Sequence, residues 1–424
     1  MSHSTSPTIL TNALANFDRA AELLRGQFDD NLLAALREPK ERIELSMNPQ
    51  KKDDTLHHVR GFIVRHTDAL GPSKGGIRMS ETVTLDDITG LAMEMTWKCA
   101  LIGVPFGGGK SGIVADARTL NAFDKETIIR SFARNSHRHV GPQIYVPAPD
   151  MGTNERDMGH FKDAIAFSQG IATTQGCYVT GKPIILGGIP GRREATGRGV
   201  VVCALKALQN HNIAPQKATA IVQGFGNVGL ATALLLAQAG TKVIAVSDIT
   251  AAVHNTNGLD IAALQKHVAT TGGIRGYAAP NTTSIDGQAM LELPCDILIP
   301  AASANQITID NAKKIHAKMI VEGANGPTSV AADEILAARN IPIYPDILAN
   351  AGGVFVSYLE YTQETQAEQM TEEAVRNRLT YRMQDRFDAV NQTAQSRNLS
   401  LRDAAMTLAV KTVCEALEAK GRLP

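Results

Sequence analysis

One hexapeptide, Gly224-Phe225-Gly226-Asn227-Val228-Gly229, limits the folds open to this chain more than any other stretch. The apolar run KATAIVQ leads into it, LATALLLAQAG follows it, and a second apolar run, TKVIAVSD, ends at Asp248. Between a buried strand and a helix, the first glycine serves a tight turn. The second lets the backbone approach a pyrophosphate at the helix N-terminus, and the third lets helix and strand pack closely. The apolar runs CDILIPAA, KMIVEGAN and IPIYPDIL come later, separated by helical or loop segments. Strand, crossover and strand in repetition predict a parallel sheet with helices on both faces.

Asp248 then stands where a carboxylate accepts hydrogen bonds from the adenosine ribose hydroxyls. No Lys or Arg occurs from 248 to 262 to neutralise a 2′-phosphate. The expected cofactor is therefore NAD, with NADP not excluded.

A second stretch, TWKCALIGVPFGGGKSG from Thr96 to Gly112, sets consecutive glycines against Lys110. A glycine run removes side chains, so another group can come close. GVPFGGGKS nearly spells a P-loop, but that motif needs four residues between its first glycine and the Gly-Lys pair. The required position is Val104, and Gly103 falls one residue early. The other reading is a lysine made reactive by burial or by a second cation, either of which lowers its proton affinity. Lys74, in the turn-rich GPSKGGIRM, and Lys98, beside Trp97, supply further cations suited to a substrate with more than one carboxylate. Asp150, in PAPDMGTNE, reads equally as a helix N-cap and as a general acid/base held by prolines.

The chain of 424 residues exceeds one ordinary domain. Its 42 basic and 42 acidic residues give no basic footprint for nucleic acid or an anionic membrane. The five cysteines form no C-x-x-C, and the histidines form no metal spacing, so a reduced cytoplasmic protein without a metal is expected. No apolar run approaches the roughly 18 residues of a membrane span. Paired strands are expected over 40–48 and 55–66, and helices over 8–37, 84–99, 124–140 and 154–168. Residues 107–111 are expected as a loop before a strand, GIVAD. The strand-free end should form helices that return to the first domain. The expected organisation is α/β. A substrate-binding and oligomerisation domain comprises 1–195 and 346–424, and a Rossmann-type doubly wound dinucleotide domain comprises 196–345.

In order and wording, GPSKGGIR, MTWKCALIGVPFGGGKSG, PAPDMGTN, TGKPIILGG, EATGRG, VQGFGNVG, VEGANGPT and ILANAGGVFVSY resemble the glutamate dehydrogenase family of amino-acid dehydrogenases. The resemblance covers about residues 40 to 360 and implies roles at the matching positions. Lys110 looks like the catalytic lysine that activates water, and Asp150 like the proton shuttle for the amino group. Lys98 would hold the substrate α-carboxylate, and Lys74 with Ser357 the side-chain carboxylate. Asn350 would position substrate or nicotinamide. Thr196, Asn227 and Asn325 match positions near the dinucleotide, as does Val228 within the hexapeptide. Relatives acting on leucine, valine or phenylalanine carry apolar residues in place of Lys74 and Ser357, since a buried cation facing a methyl group is costly.

The resemblance thus implies reversible oxidative deamination of glutamate to 2-oxoglutarate and ammonium by a homohexamer, with hydride passing to the nicotinamide in a cleft between domains. Dehydrogenation of an apolar amino acid, and a non-catalytic regulatory subunit of a hetero-oligomer, are the alternatives. Ser73 and Met79 depart from the family, which more often has an aromatic residue and Phe there.

Overall fold

The computed structural model describes residues 8–171 and 176–421. It divides into two compact units. One holds the residues up to 192, then 354–375 and those from 406, and the other holds 193–353 and 376–405. The segment 376–405 therefore clusters with the second unit, although the sequence pattern assigned everything from 346 onward to the first. The reason is a set of contacts no periodicity reveals. Phe387 stacks on Tyr344 at 5.2 Å between ring centroids, and Arg402 enters a carboxylate cluster described below. The ends of the expected first domain, 1–7 and 422–424, lie outside the described residues.

The first unit is built on a five-stranded sheet of β1 (Glu41–Met47), β2 (Val59–Thr67), β3 (Ser73–Met79), β4 (Gly107–Ile113) and β5 (Tyr145–Pro149), in the order β1-β2-β4-β3-β5. β2 runs antiparallel to β1 and β4, whereas β3 is parallel to β4 and β5. Helices cover both faces. Phe132 and Phe161, from helices Ala122–Ser136 and Glu155–Ser168, pack with Ile77, Met79, Ile113 and Tyr145 on one side. Ile88, Leu91 and Ala92 of helix Leu85–Ile102 pack with Phe62 and Val64 on the other. That helix starts with a capping box between Thr84 and Asp87 and stops at Gly103 in the left-handed region, φ 71°.

Both glycine-lysine segments expected as loops, 73–79 and 107–111, are strands at the centre of this sheet. Glycine is a poor strand former by itself. Here packing overrides propensity, because a Cβ on Gly108 would lie 2.1 Å from Thr96 Oγ1 and one on Gly112 would lie 2.9 Å from Ile88. The glycines let helix Leu85–Ile102 settle directly on the strand. The expected 8–37 helix is broken into Ile9–Leu23 and Asp30–Ala35.

The second unit carries a seven-stranded sheet in the order β12-β11-β10-β6-β7-β8-β9. Its strands are β6 (Thr219–Gln223), β7 (Lys242–Ser247), β8 (Ala252–His254), β9 (Thr283–Ile285), β10 (Cys295–Pro300), β11 (Ala317–Val321) and β12 (Ile343–Tyr344). The run from β12 to β7 is parallel, as the apolar runs predict. β8 and β9 add an antiparallel edge that the pattern missed, because three-residue strands carry too few alternations to show.

Candidate functional site

Register places the charged residues of the first unit. Side chains of directly paired strand residues share a face. Lys74 pairs with Gly108, Arg78 with Gly112, and Lys110 with Val64, so all of these side chains lie on the face covered by helix Leu85–Ile102. That helix brings Lys98, which is buried. Asp150 follows β5 directly, and its Oδ2 is 2.7 Å from Lys110 Nζ and 3.3 Å from Arg78 Nε. Gly76 makes room for it, since a Cβ there would fall 2.6 Å from Asp150 Cβ. Asp150 does not cap a helix. Asn154 does so for helix Glu155–Ser168, and the Asp150 carboxylate stays with its cations.

Burial lowers the proton affinity of Lys110, and Arg78 and Lys98 lower it further, while Asp150 opposes them. Burial would raise that of Asp150, but Lys110 and then Arg78 hold it well below the usual carboxylate range. Lys74 is only 1% exposed, and no carboxylate lies within ion-pair distance of it among the described residues. Burial first, and then the charge of Arg192, bring its pKa to about 7. Arg192 donates from Nε to Ser357 Oγ at 3.2 Å, so it links the two positions that the resemblance paired. One turn beyond Ser357, buried Glu360 accepts from Lys182 Nζ at 2.8 Å and from the Gly181 backbone at 2.8 Å, which anchors the helix bearing Ser357.

Arg78 and Arg192 were not singled out in the sequence. A charged residue in GGIRM or in GIPGRRE reads as a solvated one until the sheet register and the Ser357 contact are known. Ser73 is fully buried, and its hydroxyl finds no hydrogen-bond partner among the described residues. Met79 joins the core instead.

In the second unit each glycine of the hexapeptide has a distinct reason. Gly224 turns with φ 92°, and a Cβ on it would meet Ala301 O at 2.8 Å. A Cβ on Gly229 would lie 1.8 Å from Gly224 O, so helix Asn227–Gln238 can pack only without one. Gly226 meets nothing within 4 Å, and the helix it precedes has no side-chain cap. Its first backbone N–H groups, at Asn227 and Val228, are thus open to an anion. Gly197, next to Thr196, is where helix Ala195–Asn210 crosses this one: a Cβ would lie 2.7 Å from Ala231 Cβ.

Asp248 directly follows β7, which stops one residue short of the end that the sequence predicts, and its carboxylate is already engaged. Oδ1 accepts from Thr250 N and Oγ1, both at 2.6 Å, and from Ala251 N at 3.0 Å, while Oδ2 accepts from Ile274 N at 2.8 Å. Burial raises its proton affinity, and these bonds more than offset that, so it stays ionised. Arg275, distant in sequence, donates to Thr250 O from Nε at 3.2 Å and Nη2 at 3.0 Å, so a basic group does stand at this turn.

Asn350, grouped by sequence with the substrate residues, lies in this unit, where its amide donates to Asn325 Oδ1 at 2.9 Å and to Ala324 O at 3.1 Å. Its buried Oδ1 finds no donor among the described residues. Asp346 accepts the Gly326 backbone at 2.8 Å, and Glu322 accepts the Asp346 backbone at 2.9 Å. Arg402 bonds Glu322 at 2.8 Å and Asp333 at 3.0 Å and reaches Asp346 at 3.8 Å. A dinucleotide fits these features: an open glycine before an uncapped helix suits its phosphates, and an unmatched buried carbonyl suits a carboxamide. No group of residues that could hold a metal ion occurs among the described residues, and no helix there is long and apolar enough to cross a membrane.

The profile of Glutamate/Leucine/Phenylalanine/Valine dehydrogenase matches residues 187–421, and that of the Glu/Leu/Phe/Val dehydrogenase dimerisation domain matches 39–167. Glutamate dehydrogenase B of Halobacterium salinarum is 41% identical over 99% of this chain and 97% of its own. NAD-specific glutamate dehydrogenase of Staphylococcus aureus is 37% identical over 93% and 94%. Among solved structures, hetero-hexameric glutamate dehydrogenase from Thermus thermophilus in a leucine-bound form superposes with a TM-score of 0.93 at 30% identity, covering 99% of both chains.

Proposed function

The chain belongs to the glutamate/leucine/phenylalanine/valine dehydrogenase family, NAD(P)-dependent oxidoreductases of amino acids, and we propose that within it this enzyme oxidatively deaminates L-glutamate. The observation that carries the substrate choice is buried Lys74 with Arg192 and Ser357 beside it. Two cations and a hydroxyl in a desolvated pocket reject a methyl group and accept a carboxylate.

In the proposed reaction Lys98 pairs with the α-carboxylate while Lys74, Arg192 and Ser357 take the side-chain carboxylate. Asp150 receives a proton from the substrate ammonium. A dinucleotide, when bound, would supply the acceptor for the hydride that leaves the α-carbon. Lys110, as the neutral amine, takes a proton from the water that attacks the resulting iminium carbon, and 2-oxoglutarate and ammonium leave. A lysine works as a base only with its proton affinity lowered, which agrees with the direction found for Lys110. For the dinucleotide we assign Gly224, Gly226, Asn227, Val228, Gly229, Thr196, Asn325 and Asn350 to its binding, with Asp248 on the ribose. The ionised Asp248 favours NAD over a 2′-phosphate. Arg275 beside Thr250 favours the second reading, in which NADP is also accepted.

Steady-state rates with glutamate and with leucine, each with NAD and with NADP, test both choices. Glutamate with NAD should give the highest kcat/KM. Faster turnover of leucine would remove the carboxylate role from Lys74, and faster turnover with NADP would give the Arg275 reading precedence.

A further inference from the structure

Resting on the roles proposed for Lys110 and Asp150, we infer that Arg78 is a positioning residue whose permanent charge holds the Asp150 carboxylate and biases the pair toward a neutral amine beside an ionised acid. Its Nε lies 3.3 Å from the same Oδ2 that Lys110 approaches at 2.7 Å. The two cations thus share one carboxylate oxygen, and only the lysine can give up its proton under working conditions. When Lys110 becomes neutral, Asp150 would lose its counter-charge and recapture that proton unless a second cation remained. Arg78 is that cation.

β3 and β4 fix the arrangement, since Arg78 and Lys110 emerge on one face of adjacent strands. Gly76 leaves the space that lets Asp150 close against them. The side chains of Arg78 and Asp150 are 17% and 21% exposed, so the contact is shielded but not sealed from solvent. The other titratable group facing the pair is Lys98, from helix Leu85–Ile102, which also disfavours charge on Lys110. Tyr145, from β5, lies on the opposite face of the sheet, and the Asp150 charge disfavours its ionisation. Tyr145 donates its hydroxyl to Gly75 O at 3.2 Å and accepts from Ser111 Oγ at 2.9 Å; burial raises its proton affinity more than the Ser111 bond lowers it, so it stays neutral near neutrality. Arg78 lowers the proton affinity of both members together. A structural arginine would not need to touch the reacting pair.

The test is the pH profile of kcat/KM for glutamate oxidation by the full-length enzyme carrying Arg78→Gln, Arg78→Lys or Lys110→Ala. The substrate ammonium titrates identically in all of them, so a displaced acid limb belongs to the protein. Removing one charge at this range should move that limb up by about one pH unit in Arg78→Gln, a roughly tenfold loss on its acid side. Arg78→Lys should keep the limb in place even if its rate falls. Millimolar methylguanidinium should return an Arg78→Ala protein toward the original limb. An Arg78→Gln limb that stays put, or an Arg78→Lys limb that moves as far as that of Arg78→Gln, overturns the proposal. If Arg78→Gln does not fold, the Arg78→Lys limb decides alone. Lys110→Ala separates the two failures: turnover without Lys110 refutes the underlying roles, whereas its loss with an unmoved Arg78→Gln limb refutes only Arg78.

Discussion

Replacing Lys74 by methionine should make the substrate-free enzyme more stable at low pH while destroying its use of glutamate. Lys74 sits in the interior with its pKa brought from the ordinary 10.5 to about 7. At about 1.4 kcal/mol per tenfold change, carrying a charge there costs about 5 kcal/mol more than in water. That is an upper bound, because the surroundings relax. Apolar replacement of buried ions commonly gains about 1–4 kcal/mol, and a gain in that range is expected below pH 7. The sign with pH follows from linkage. Between about 7 and 10.5 the unfolded chain holds a proton that folded Lys74 lacks, so wild-type stability rises with pH there. Methionine has no such dependence, so its advantage should narrow across the same window. Two-state unfolding is not expected of the whole chain, but the single tryptophan, Trp97, is buried in the first unit against Phe17 and reports that unit alone. Urea unfolding followed by Trp97 fluorescence at pH 6 and pH 9.5, with glutamate KM measured in parallel, is the assay. A Lys74→Met protein less stable than wild type at pH 6, or an advantage independent of pH, would refute the buried-charge reasoning.

The glycines of the hexapeptide should separate in their effects. Gly229→Ala would clash with Gly224 O and should lower the second unit's stability by about 2 kcal/mol or more. Gly226→Ala has open space in the protein, so its thermal midpoint should hold while dinucleotide affinity, read by calorimetry, falls at least tenfold; the reverse pattern would mean the glycine roles are misassigned. Lys74→Leu combined with Ser357→Val should move kcat/KM from glutamate toward leucine by at least a hundredfold in ratio. An unchanged ratio would place the side-chain pocket elsewhere.

The second unit's parallel core was readable because glycine spacing and unbroken apolar runs are local signals. The Gly224 and Gly229 requirements emerge in the backbone contacts, whereas Gly226 has open space around it. The site of the first unit was legible only in part. Lys74, Lys98 and Lys110 drew notice because they stand beside glycines or the tryptophan, yet the glycines suggested loops where there are strands. Glycine carries no side-chain pattern, so the two-residue alternation that marks a strand vanishes there. Arg78, Arg192 and Arg275 were invisible as partners, since each acquires its role from a residue 72, 165 or 25 positions away. Residues 376–405 likewise cluster with the second unit through partners distant in sequence.

Arg402 faces Glu322, Asp333 and Asp346 in the interior of the second unit, where burial already raises the proton affinity of Glu322. Without it three carboxylates would share a dry site and lose the cation that bonds them together. Yet residues 354–375, which belong to the first unit, are made before it. During synthesis the second unit therefore cannot reach its finished packing as soon as its sheet has emerged from the ribosome. It must wait until residue 402 is free, when most of the first unit has already been made, so the two units mature almost together rather than in turn.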